Sequence, residues 1–94
     1  MITVLTALIV PYAKMILPDT YSLFSQEGKA LGMASISSLE LSLELRGLFV
    51  DKANAAGLPV EVTWNDAFQK YQVVRVLPAN TPITTESFFH HMRT

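Results

Sequence analysis

The stretch SLELSLELRGLF, Ser38–Phe49, alternates leucine with glutamate, serine and arginine as a half-exposed strand would, yet it consists of good helix formers. Its flanks decide between the two. Ser37 and Glu40 stand at the S-x-x-E spacing of a capping box, in which each side chain satisfies the other's orphan N–H at a helix start. Downstream, in AAGLP, Gly57 takes the place of a left-handed residue after a helix, and Pro59 forbids continuation. Wound as a helix, Glu40, Glu44, Gly47, Asp51 and Asn54 fall on one stripe, whereas a strand scatters them over both faces. The spacing predicts a helix over about residues 37–56.

Leu39, Leu43 and Val50 flank that polar stripe, and Leu41, Leu45, Leu48 and Phe49 lie opposite it. Such a helix is expected to be covered twice, by a sheet on one side and by the N-terminal segment or another subunit on the other. Gly47 costs about 1 kcal/mol against alanine in a helix, which points to a close backbone neighbour or to simple tolerance.

Beyond Pro59 the period changes from helical to two. Val60, Val62 and Trp64 share one face of VEVTW, and Glu61 and Thr63 the other. QKYQVVRVL, Gln69–Leu77, reads as its partner, so a β-hairpin is predicted over about 59–77 with its turn at Asn65-Asp66. A short helix capped by Asn65 competes with that reading. Thr84 or Thr85 then caps a short C-terminal helix over about 84–92, anchored by Phe88 and Phe89.

Upstream, MITVLTALIV reads as a buried strand stopped by Pro11, with Leu5, Ala7 and Ile9 on one face and Ile2, Val4, Leu8 and Val10 on the other. A targeting or membrane segment is the competing reading. It has no basic residue ahead of the apolar run, and Pro11 and Lys14 interrupt it short of the ~20 residues a spanning helix needs. In residues 12–36, KMIL and YSLF read as extended segments around Pro18-Asp19-Thr20, and Gln26–Lys29 as a turn before ALGMAS. The alternative there is a helix capped by Asp19 or Thr20. Together these elements predict one α+β domain spanning residues 1–94, an antiparallel sheet of three to five strands packed on the long helix.

Half of the 94 residues are hydrophobic and 16% are charged, a composition that argues against disorder and implies apolar surface to be covered by a second copy. Net charge is −1, with segment charges of 0, −1 and 0 over residues 1–36, 37–57 and 58–94, so no basic face is expected and binding to a phosphate backbone is disfavoured. The absence of cysteine excludes disulfides, thiolate metal sites and a cysteine nucleophile, and fits a reducing, cytoplasmic setting.

No catalytic constellation emerges. His90 and His91 are neighbours, about 100° apart on a helix, and cannot grip one metal together; Glu86 with His90 would be at most half a site. Neither a metal nor another cofactor is expected. Glu40, Glu44 and Asp51 read as a solvated helix face, with an acidic docking surface as the alternative. The glycines form no nucleotide-binding fingerprint. Trp64, Phe68, Lys70, Tyr71 and Arg75 gather aromatic and basic groups in the hairpin, the combination that stacks on bases and meets phosphates of a single strand, although Trp64 beside Val62 reads more simply as core. The expected function is therefore non-enzymatic protein–protein association, as an adaptor, accessory or inhibitory domain that forms a homodimer. A nucleic-acid module built on the hairpin, and a ligand-binding or enzymatic domain with its pocket at a subunit interface, are the alternatives.

Overall fold

A computed structural model of the chain describes residues 5–12 and 20–92, the last three by their backbone. Five strands, β1 (Leu5–Pro11), β2 (Tyr21–Phe24), β3 (Ala30–Ser35), β4 (Leu58–Asn65) and β5 (Lys70–Val76), close into a barrel in the order β1-β2-β3-β5-β4. One helix, α1 (Leu39–Val50), lies between β3 and β4, and α2 (Glu86–Met92) follows β5. This corrects the expected sheet packed on one long helix. The sheet has no face laid on α1; it wraps around its own core, and the helix only covers an opening.

Closure comes from two pairings remote in sequence. β1 pairs antiparallel with β4, Leu5 opposite Val62 and Ile9 opposite Leu58, and β3 pairs parallel with β5, Ala34 opposite Tyr71. The order β4-β1-β2-β3 is a Greek key, and β5 fills the remaining gap, which gives a closed five-stranded Greek-key barrel. Alternation sets what lies inside. Leu5, Ala7 and Ile9 of β1, Tyr21 and Leu23 of β2, Val60 and Val62 of β4, and Tyr71 and Val73 of β5 are all buried.

The helix is shorter than its sequence signals imply. Ser38, and not Ser37, is the N-cap, its Oγ accepting from the Leu41 N–H at 3.3 Å. Ser37 accepts instead from the Gln72 side chain of β5 at 2.8 Å. Asp51 leaves the helical region, and its carboxylate caps the next turn by accepting from Ala53 N–H at 2.9 Å, so a 3-10 turn over Lys52–Asn54 replaces the last helical turns. Gly57, at φ +116°, belongs to the entry of β4 and not to the helix end. Leu41 and Leu45 of α1 enter the core, and Phe49 packs on Tyr21 with ring centroids 5.6 Å apart. A methyl group at Gly47 would meet nothing within 4 Å outside its own helix, so among the described residues no other backbone approaches there.

The C-terminal segment ties down the end of the barrel at which β1 begins. Thr84 N–H donates to Thr6 O at 2.8 Å, Thr6 N–H donates back to Thr84 Oγ1 at 2.8 Å, and Gln26 N–H donates to Thr84 O at 3.0 Å. Beyond it Phe89 is buried edge-on against Tyr71, 5.5 Å between centroids, while the Tyr71 hydroxyl donates to Phe89 O at 2.9 Å.

Glu27, in the β2–β3 turn, accepts from the first N–H of α2, that of Glu86, at 2.9 Å, and this hydrogen bond holds its carboxyl below the usual carboxylate range. A pKa lower in the folded than in the unfolded chain favours docking of α2 above the unfolded value, and that support is lost as pH falls through the folded one. In an NMR titration Glu27 should therefore protonate at a lower pH than in the unfolded chain. Glu27→Gln should flatten the acid-side change of the Glu86 amide shift; a Glu27 midpoint equal to the unfolded one would remove the contact as its cause.

Candidate functional site

The eight residues expected to form interaction surfaces have different fates. Tyr71 is buried, and Trp64 is half-buried at 4.9 Å from it in an edge-on pair; both build the core. Arg75 is exposed but its Nε lies 3.0 Å from Glu61 Oε1, across the β4–β5 ladder. Asp51 is a capping residue. Glu40 and Glu44, from α1, border with Arg75 and Gln72 a shallow groove of about 320 Å³ beside β5. Among the described residues, no three histidine, aspartate or glutamate side chains are grouped as a metal would need. The side chains of His90 and His91 lie outside the described ones.

Phe68 and Lys70 remain at the surface, and the turn between β4 and β5 explains why. Asn65 Oδ1 accepts from Phe68 N–H at 3.3 Å, and the Gln69 side chain donates to both Asp66 O and Asp66 Oδ1, at 2.8 and 3.0 Å. Gln69 takes a positive φ of 53° to reverse the chain. Its polar groups are thus satisfied within the turn, and Phe68 projects from it, 67% exposed. A braced turn loses little freedom when a ligand meets it.

The parallel register Ala34↔Tyr71 and Ser35↔Gln72 brings the start of β5 next to the end of β3, and by that register Lys70, one residue before Tyr71, falls on the side of Met33, one residue before Ala34. Met33 pairs with Ser22 of β2, whose Oγ lies 3.8 Å from the Met33 sulfur, and Ser22 pairs with Val10 of β1. Because Tyr21 and Leu23 point inward, Ser22 and Phe24 point out. The outer wall of β2 and β3 therefore carries half-buried Phe24 and Met33, and it ends at Lys70 and the Phe68 turn. Neither Phe24 nor Met33 was among the expected site residues. The alternation of YSLF identifies the outward phenylalanine, but only the closed strand order shows what stands next to it.

A second exposed surface lies on α1, where Leu39, Leu43 and Val50 are 74%, 55% and 83% exposed. No helix among the described residues is long and apolar enough to cross a membrane. No family model, curated protein or solved structure matches the chain.

Proposed function

We propose that this chain is a non-enzymatic binding domain for single-stranded nucleic acid, which lies along the outer wall of β2 and β3 and against the β4–β5 turn. The observation that carries the reading is Phe68, held out from a braced turn with Lys70 two residues on. An exposed phenyl ring offers a face on which any base can stack, and an ammonium beside it can meet the next phosphate. Phe24 and Met33 supply an apolar floor between them and β1. In five-stranded Greek-key barrels of this type the β2–β3 face and the β4–β5 loop are frequent oligonucleotide sites, an argument from architecture that the residues here supply with chemistry.

Charge sets the character of the binding. Lys29 is engaged by Glu86 at 2.8 Å and Arg75 by Glu61, which among the described residues leaves Lys70 as the cation at this wall. Stacking then outweighs counterion release, and the affinity varies only shallowly with salt.

Fluorescence anisotropy with a labelled oligothymidylate, an RNA of the same length and a duplex tests the proposal. Single strands should bind in preference to duplex. Phe68→Ala should weaken that binding by roughly 5- to 100-fold, the loss of one stacked base. Lys70→Ala should lower the slope of log K against log salt by about 0.7, one phosphate contact on a single strand. Absence of single-strand binding at low salt would remove the function. Unchanged affinity in Phe68→Ala would place the strand elsewhere on the protein.

A further inference from the structure

β5 is paired along its whole length on one side and only at its start on the other. β4 runs beside it from Asn65↔Lys70 to Val60↔Val76, whereas β3 meets it at Ala34↔Tyr71 and Ser35↔Gln72 alone. Past Ser35 the chain turns away into the cap of α1, with Ser37 accepting from the Gln72 side chain at 2.8 Å, and among the described residues no strand takes its place beside residues 73–76. The Leu77 N–H donates to Pro59 O at 3.0 Å. Successive backbone groups of a strand point to opposite sides, so the N–H and carbonyl of Val76 turn away from β4, toward the open side. A strand edge left in this way is a template for one more strand.

That side opens on the groove of about 320 Å³ whose other bank is α1. Leu41 and Val74, the latter 43% exposed, give the groove an apolar lining, and Glu40 and Glu44 stand on the helical bank. Neither glutamate takes part in an ion pair among the described residues, and Arg75, the cation of the groove, is already held by Glu61. Glu40 and Glu44 are one turn apart, about 6 Å along the helix, close to the roughly 7 Å between alternate side chains of an extended chain. We infer that the groove takes an extended peptide with lysine or arginine at alternate positions, which adds to β5 as a further strand and sets its cations on Glu40 and Glu44. Backbone hydrogen bonds to the open edge supply affinity, and the two carboxylates select the side chains. A second copy does not fit this role, because pairing the same two edges brings two α1 helices into one space. Nucleic acid is repelled by the carboxylates, so the groove is separate in function from the wall of β2 and β3.

Fluorescence anisotropy with labelled peptides of about ten residues tests the inference. One peptide alternates lysine with valine, a second alternates glutamate with valine, and a third is the lysine peptide N-methylated throughout, which keeps every charge and loses every N–H. The lysine peptide should bind at low salt and the glutamate peptide should not. N-methylation should weaken binding at least about tenfold, since a strand that cannot donate cannot pair with the edge. Glu40→Gln combined with Glu44→Gln should weaken binding of the lysine peptide about tenfold, the loss of two exposed ion pairs. In the complex the Val76 amide should exchange with solvent at least about tenfold more slowly than in the free protein. Absence of binding by the lysine peptide overturns the inference, and so does undiminished binding by its N-methylated form, which would reduce the contact to charge alone. Unchanged affinity in the double glutamate variant, or unchanged exchange at Val76, overturns it as well.

Discussion

Phe89→Ala is expected to lower the free energy of unfolding by about 3–5 kcal/mol, while Phe88→Ala, one residue earlier, changes it by no more than about 0.5 kcal/mol. The two phenylalanines are adjacent in sequence and opposite in circumstance: Phe88 is 54% exposed and Phe89 is 1% exposed. Phe89 fills the barrel beside Tyr71, and its backbone carbonyl accepts the Tyr71 hydroxyl at 2.9 Å, so truncation leaves a cavity and loosens a buried hydrogen bond together. Urea unfolding followed by fluorescence checks it directly, since Trp64 is the chain's one tryptophan and packs on the same tyrosine. Equal effects of the two substitutions would mean that α2 does not dock as described.

Gly57→Ala should cost roughly 2–5 kcal/mol, although it adds a single methyl group. At φ +116° the backbone is in a region that side chains avoid, and an added Cβ would come within 2.8 Å of Leu8 Cγ, 2.9 Å of Leu8 Cδ1 and 3.0 Å of Val10 Cγ2. Strain and overpacking act at one point, and that point is the entry of β4, whose pairing with β1 closes the barrel. Thermal unfolding should show a large fall in midpoint. A variant as stable as the parent would require β1 and β4 to meet differently.

Much of the local structure was legible in the residues, and most of the long-range structure was not. VEVTW and QKYQVVRV alternate so regularly that the inward set, Val60, Val62, Tyr71 and Val73, follows from them. The same alternation assigned Trp64 to the core, which left Phe68 and Lys70 as the hairpin's exposed chemistry. The helix misled at both ends. Two adjacent serines compete for its cap, and the choice fell to Ser38 because Gln72, thirty-five residues away, engages Ser37. Gly57 satisfies the rule for a helix stop and equally the demand of a crowded strand entry, a difference set by Leu8 and Val10 far upstream. Barrel closure was hidden for a related reason. Alternation tells which side chains face inward but not which strand lies alongside, and a curled sheet has the same pattern as one that rests on a helix. The outer wall at Phe24 and Met33 inherits that blindness, since it exists only once β3 stands between β2 and β5.

The parallel junction of β3 with β5 has a kinetic consequence. Its register consists of Ala34↔Tyr71 and Ser35↔Gln72, the shortest ladder of the barrel, and the two strands are separated by α1 and all of β4. Every other junction either joins consecutive strands or is longer. A short pairing with a long intervening loop gains little until its neighbours are fixed, so this junction is expected to zip last during folding and to part first when the native state breathes. Gln72, held by both Asn65 and Ser37, is the latch across it.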